Sequence, residues 1–180
     1  GFKEHYALLY SKPYINKKKT IGLEGGIQLF RRKKSFYKTE NNTLLYVEEN
    51  KFTTKDLEYK LKLSYKKGTR QSHALSVYYF NTQTTNHILD LNPEYLNNQE
   101  TKGDYFKISY EYINEQRDYK EYPLHGYYLD VEANKFIQKS SPVKHFEIIG
   151  RIEKYIEPFK NLFIGSSVKT KWATTDFQPY

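Results

Sequence analysis

The chain has no cysteine, no methionine and a single tryptophan in 180 residues. Without cysteine there is no disulfide scaffold, no thiolate-ligated zinc and no cysteine nucleophile. That absence fits every redox compartment and so assigns none. A translated chain begins with methionine, so the sequence is expected to be a processed product or a segment of something longer. The length allows one domain at most, or part of a larger one. No stretch approaches the roughly 20 apolar residues of a membrane-crossing helix. No charged, apolar and small-residue succession of a signal peptide stands at the start.

The residues present pull in opposite directions. There are 19 tyrosines and 11 phenylalanines, and aromatics reach 17%. Yet charged residues make up 28%, and the mean hydropathy is −0.86. Disordered chains are poor in rings, so the composition describes something ordered that holds many rings and many charges together. Strands do this, because successive side chains point to opposite faces.

Alternation runs through most of the sequence. In Leu57–Lys66, Leu57, Tyr59, Leu61, Leu63 and Tyr65 share one face, and Glu58, Lys60, Lys62, Ser64 and Lys66 share the other. That is an unbroken period of two, which a helix would scatter around its cylinder. The same pattern recurs at Ile21–Leu29, Ala74–Tyr79, Phe106–Tyr112, Tyr127–Glu132, Phe146–Glu153 and Ile164–Lys169, and more loosely at Phe2–Tyr10. Eight strands are expected, and no helix. Short links lie at 12–19, 67–71, 114–126 and 157–161. Longer polar links lie at 31–54 and 81–103, with a shorter one at 138–142.

Strands of about ten residues, short turns at one end and long loops at the other describe an all-β, antiparallel, up-and-down transmembrane β-barrel. A soluble antiparallel sandwich or a lipocalin-like barrel that binds a ligand alternates as well, with its apolar face turned inward. Closure matters in lipid, where every backbone polar group needs a partner within the protein.

Two short turns carry more specific signals. In the first, Tyr10-Ser11-Lys12-Pro13-Tyr14-Ile15 precedes a lysine run and the strand at Ile21. In the second, Glu115-Gln116-Arg117-Asp118-Tyr119 is followed by Tyr122-Pro123-Leu124-His125-Gly126-Tyr127. Proline lacks a donor and suits a strand end, and glycine permits a tight backbone before the next strand. Arg117 and Asp118 are expected to tie their turn by a charge-assisted hydrogen bond.

These turns resemble the barrel domain of the BamA/TamA family, also called the bacterial surface antigen family. There a strand ends in a Pro-aromatic turn, matched by Pro13 and Tyr14. A later turn reads Asp-x-Arg-Asp and then aromatic-Pro-x-x-Gly, matched by Arg117, Asp118, Tyr122, Pro123 and Gly126, with Glu115 in the place of the first Asp. Asn92-Pro93-Glu94-Tyr95 resembles versions of the family in Bacteroidetes. Trp172 and Phe177-Gln178-Pro179-Tyr180 resemble the approach to the sixth extracellular loop, whose Val-Arg-Gly-aromatic motif lies beyond this sequence. The resemblance spans residues 1–180 and implies a partial outer-membrane barrel, strands four to eleven of sixteen, with no second domain visible. The closing seam and the periplasmic POTRA repeats fall outside it.

Chemistry-bearing patterns are sparse. Five histidines at 5, 73, 87, 125 and 145 have no metal-ligand spacing. No phosphate-binding loop and no nucleophile elbow occurs. Gly22, Gly25 and Gly26 lie inside a strand, where glycine allows bending or close packing. Carboxylates at 24, 58, 111, 130, 132, 147 and 153 share the polar face with Lys60, Lys62, Lys107, Arg151 and Lys169, as in a hydrated interior of mixed charge. The reading is therefore not an enzyme, with no cofactor and no metal.

The net charge of +8 also raises a nucleic-acid partner, since basic and aromatic surfaces bind single strands. In a barrel, however, Lys17–Lys19 and Arg31–Lys34 sit at opposite ends of one strand and flank the membrane. There they would meet acidic headgroups of phospholipid and lipopolysaccharide, and no nucleic acid is expected. Tyr10, Tyr14, Tyr65, Tyr112, Tyr127 and Tyr155 are expected in an interfacial girdle near the short turns, with Phe80 and Phe136 near the long loops.

The resemblance implies assembly or insertion of outer-membrane proteins, or protein translocation, in the outer membrane of a Gram-negative bacterium. Its implied partners are the surrounding lipid and lipopolysaccharide, client outer-membrane proteins, and periplasmic or lipoprotein subunits. A passive porin-like barrel and a self-contained eight-stranded barrel stay open beside it.

Overall fold

The computed structural model describes residues 2–96, 99–138 and 145–174. Eight long strands form one antiparallel sheet: β1 (Lys3–Lys12), β2 (Ile21–Arg32), β5 (Thr54–Lys67), β6 (Gln71–Thr84), β7 (Lys102–Glu115), β8 (Gly126–Gln138), β9 (Phe146–Phe159) and β10 (Leu162–Ala173). Their spatial order is β1-β2-β5-β6-β7-β8-β9-β10. Every long strand therefore lies beside the next long strand in the sequence, and the eight expected strands are all present. They run 10–14 residues, longer than the alternating stretches alone indicate, because the polar ends continue the ladder.

Three expectations change. The link at 31–54 is not irregular: it contains a two-stranded hairpin, β3 (Lys34–Glu40) with β4 (Thr43–Glu48). Asn41 and Asn42 both take positive φ at its tip, a conformation asparagine tolerates better than most residues. The link at 81–103 contains a short helix, α1 (Asn86–Leu91), where no helix was expected. Six residues are too few to register as a period of 3.6. Third, the sheet is open among the described residues. β1 and β10 form its two margins and do not pair with each other, so these strands do not make a self-contained eight-stranded barrel. Residues 177–180 and most of the link at 138–142 lie outside the described residues.

The register fixes which side chains share a face. Leu8, Ile27, Tyr59, Tyr79, Phe106 and Ile137 form one continuous row across six strands. Two residues along each strand, Leu61, Val77 and Ile108 form the next row, followed by Leu23, Leu63, Leu75, Tyr110, Ala133 and Ile148. The opposite face carries the row Glu24, Lys62, Ser76, Ser109, Asn134 and Glu147.

Burial is reversed relative to a water-soluble fold. Leu61 is 57% exposed and Leu75 49%, while Glu153 is 2% and Asn134 1% exposed. The sheet thus curls around its polar face. Small side chains at Ala74, Ser76 and Ser109 crowd the concave side, and bulky ones fan out on the convex side. Among the described residues, the only buried apolar side chains are Val47, Ala74 and Ile88. No described helix is long and apolar enough to cross a membrane.

The convex face is banded. On β5, Tyr59 and Tyr65 bracket Leu61 and Leu63. Neighbouring strands continue the bands with Tyr79 and Phe106 on one side and Tyr110 and Tyr112 on the other. Tyr59 and Tyr65 are six positions apart on β5, about 20 Å at the rise of an extended strand. Tyr10, Tyr65, Tyr112 and Tyr127 stand on this face as expected. Tyr155, Phe80 and Phe136 do not: they lie on the concave face, where Tyr155 faces Gly165 and Phe80 stacks on Tyr105. Tyr14 also turns toward the concave side, with the Lys66 ammonium 5.5 Å from its ring centre. Proximity to a turn located these rings along the strand, but parity decides the face.

The two ordered links join at the long-link end. Ser35 Oγ lies 2.7 Å from Thr53 Oγ1 and 2.9 Å from Thr54 Oγ1, all three residues buried. Asn92 donates from Nδ2 to the Tyr37 carbonyl at 2.7 Å, so the Asn92-Pro93-Glu94-Tyr95 segment is tied to β3. Ile88, on α1, is fully buried. We expect Ile88→Ala to cost this cap about 2–5 kcal/mol. Limited proteolysis should then cut within 85–101 at least tenfold faster while the long strands stay protected.

Candidate functional site

The concave face is a lattice of charges. Lys62 reaches past β6 to Glu111 on β7 at 3.5 Å, above the small side chains Ser76 and Ala74. Lys60 pairs with Glu24 at 3.5 Å and Lys107 with Glu132 at 3.7 Å, and Ser109 donates to Glu132 at 3.2 Å. The Lys107 ammonium also sits 5.2 Å from the Tyr78 ring centre. Asn134 donates to Glu147 at 3.0 Å, and Lys171 pairs with the same carboxylate at 2.8 Å. Buried charges need partners of this kind.

The second motif turn folds back into this face. Arg117 binds Glu115 with two nitrogens, Nε at 2.8 Å and Nη2 at 2.6 Å. Its Nη1 donates to Glu153 at 2.8 Å, and the guanidinium lies 4.6 Å from the Tyr128 ring centre. Glu153 also pairs with Arg151 and accepts from the Tyr155 hydroxyl at 3.0 Å. The Glu115 hydrogen bond, offset in part by desolvation, pushes the Arg117 pKa up, so it stays charged throughout. A bidentate arginine with a stacked ring is a rigid unit that lysine does not reproduce.

Asp118 serves a different purpose. The expected bond between Arg117 and Asp118 is not formed. Asp118 Oδ1 instead accepts from the backbone N–H groups of Tyr119 (2.9 Å), Leu124 (3.0 Å) and His125 (3.2 Å). An aspartate closes its own loop in this way, whereas an arginine reaches out of it. Desolvation raises the Asp118 pKa, but the backbone donors of His125, Tyr119 and Leu124 outweigh it and hold the carboxyl below its ordinary range.

Gly126 ends the turn at φ +102°, and a Cβ there would lie 2.1 Å from the Gln116 carbonyl oxygen. Only glycine fits that approach. Tyr122 is exposed, and Pro123 stands just before Leu124 and His125, whose N–H groups Asp118 binds. In the first turn, Pro13 packs against β2: a Cβ on Gly22 would lie 2.7 Å from the Pro13 carbonyl oxygen. The glycine inside the strand is thus explained by the turn beside it.

The two motif turns share a basin. About 790 Å³ opens on the concave side at the short-turn end, lined by Tyr14, Lys18, Lys19, Lys66, Arg70, Arg117, Lys120 and Arg151, with Glu115 as its one acidic wall residue. Tyr14 and Arg117 are therefore brought together, whereas Pro13, Asp118, Tyr122, Pro123 and Gly126 shape the turns from outside it. Lys18 and Lys19, expected at an outer rim, face this basin. The other basic run is largely consumed within the fold: Arg31 pairs with Glu4, and Arg32 pairs with Asp56. Sequence reasoning missed Lys66, Arg70 and Lys120. Their signal was present, because Lys66 falls on the polar parity of β5 and the other two sit in short turns.

Among the described residues, no group of three His, Asp or Glu side chains is placed to hold a metal ion. No protein-family model matches the chain, and no curated protein matches it.

Two outcomes follow from the turn. Glu153→Ala leaves Arg117 and Arg151 without their shared carboxylate and should lower unfolding stability by about 3 kcal/mol in urea titration. For Asp118 the folded pKa lies below the unfolded value, so its contribution is complete above about pH 3.9 and is lost as pH falls toward the depressed value. The stability gap between wild type and Asp118→Ala, measured by urea titration, should accordingly narrow progressively as pH falls below about 3.9.

Proposed function

We propose that this chain is part of the wall of a transmembrane β-barrel of the BamA/TamA type. In this reading it acts in assembly or insertion of outer-membrane proteins, or in protein translocation, in the outer membrane of a Gram-negative bacterium. One observation carries the membrane reading: the large aliphatic and aromatic residues cover the exposed convex face, and the charges are gathered on the concave face. Water gives that arrangement no support, because exposed apolar patches on soluble monomers rarely exceed a few hundred Å². A bilayer does support it, with lipid against the convex face and water within the concavity.

Further features agree. Strands of 10–14 residues reach or exceed the roughly 9–11 residues with which a tilted strand spans a bilayer. The aliphatic band is bounded on both sides by rings, which favour the interface between hydrocarbon and water. The open margins at β1 and β10 require further strands to satisfy their backbone groups in lipid, in keeping with a larger barrel of sixteen. The assembly role rests on the turn with Arg117, Asp118, Tyr122, Pro123 and Gly126, and on Pro13 with Tyr14. No residue of this segment is assigned an insertion step.

Leu63→Arg, near the middle of the apolar band, should lower stability in lipid by about 2–4 kcal/mol. Glu24→Gln, on the opposite face, should change it by less than about 1 kcal/mol. Urea unfolding of protein reconstituted in vesicles measures both. A detergent-free soluble monomer that tolerates Leu63→Arg would refute the membrane reading. Depleting the protein in its own cells should reduce folded outer-membrane barrels severalfold. Unchanged levels, with the protein itself still in the membrane, would leave a passive porin-like barrel.

A further inference from the structure

We propose that the basin at the short-turn end is a binding site for an acidic polypeptide segment. Three consecutive short turns build it. The β1–β2 turn contributes Tyr14, Lys18 and Lys19; the β5–β6 hairpin contributes Lys66 and Arg70; and the β7–β8 turn contributes Arg117 and Lys120. Arg151 of β9 extends the wall. Seven cations thus face one carboxylate, and that carboxylate, Glu115, is already engaged by Arg117.

The cations divide into two sets. Arg117 and Arg151 are tied to Glu153 and hold the wall in place. Lys18, Lys19, Lys66, Arg70 and Lys120 form no ion pair with any described carboxylate, and all five are exposed. Arg70 donates to the Gln116 side chain at 3.2 Å and Lys66 sits over the Tyr14 ring, neutral contacts that leave the charge available to an incoming anion. Elsewhere on the concave face, Lys60, Lys62, Lys107 and Lys171 each have a carboxylate partner. Lys3 and Lys169 share that parity and also lack an ion pair among the described residues, but each stands singly on a marginal strand, whereas the basin gathers five such cations in one space.

The shape and position select the ligand. Cations spread over three turns match a succession of carboxylates on an extended chain better than one compact anion. Thr20, Thr69, Gln71 and Ser72 line the same space and add side-chain groups that can bond a peptide backbone. The basin opens on the concave side, opposite the apolar face, so a headgroup from a bilayer on that face does not reach it. The focused positive potential raises local anion concentration and association rate. The inference depends on the basin alone and holds whether or not the convex face meets lipid.

The test uses the purified protein and a fluorescent twelve-residue peptide alternating Glu with Gly and Ser. Anisotropy should report binding at least tenfold tighter than for the same peptide with Gln in place of Glu, weakening as NaCl rises from 50 to 300 mM. Lys66→Gln, Arg70→Gln and Lys120→Gln should each weaken binding by about two- to fivefold, and the triple variant should abolish it. Lys51→Gln and Lys55→Gln, at the far end, should leave it unchanged. The three basin changes are at exposed positions, and an unaltered far-ultraviolet circular dichroism spectrum checks the fold. Equal affinity for Glu and Gln peptides, or undiminished binding by the triple variant, would overturn the proposal. So would saturable tripolyphosphate binding with no peptide binding, which would assign the basin to phosphate.

Discussion

The structure depends on a hydrophobic face that has no protein to bury it. In an ordinary domain, apolar area removed from water is the main favourable term. Here the row that runs through Leu8, Ile27, Tyr59 and Tyr79 points away from the chain with the rows beside it, and the buried apolar side chains among the described residues shrink to Val47, Ala74 and Ile88. The parity holds from β2 through β10, with Leu9 of β1 an exposed apolar exception on the concave face, so the exposure belongs to the sheet and is not a local irregularity. The medium that meets this face thereby becomes part of the fold.

The concave face supplies the order that a packed core supplies elsewhere. Across its middle, cations reach carboxylates on other strands, as Lys62 does past β6 to Glu111 and Lys171 does with Glu147. Small residues between them let the sheet curl and bring these pairs within reach. The Arg117 cluster closes this lattice at one end, and the hydroxyls of Ser35, Thr53 and Thr54 close it at the other. Charge balance is thus a structural device on most of the face, and its breakdown in the basin stands out against that background.

Much of this was legible in the residues. A period of two carried through Leu57–Lys66 fixes strand and face together, and its recurrence gives the long strands and their antiparallel order. The face that turns outward was not legible, because alternation is symmetric under exchange of inside and outside. Curvature broke that symmetry through Ala74, Ser76 and Ser109, which look unremarkable along the chain. The β3–β4 hairpin was hidden because Phe36 and Lys38 flank an irregularity in its register, which breaks the alternation. At the site, Gly126 and Arg117 were found from local sequence. Glu153, Lys66 and Arg70 were not, since their importance comes from cross-strand neighbours far away in sequence. Asp118 was found but given the wrong partner, because adjacency in sequence does not place two side chains on the same side of a turn.

The strand order has a consequence for how the chain reaches its fold. Each long strand pairs with the next one, and the two wide gaps, between β2 and β5 and between β6 and β7, are shortened by the hairpin and the short helix inside them. Closing a loop costs entropy that grows with its length, and sheets built from distant segments form slowly for that reason. This sheet contains no pairing of distant segments. It can grow by one hairpin at a time from any starting pair, with each added strand presenting the template for the next. Its kinetics should resemble the zipping of a ribbon more than the collapse of a globule.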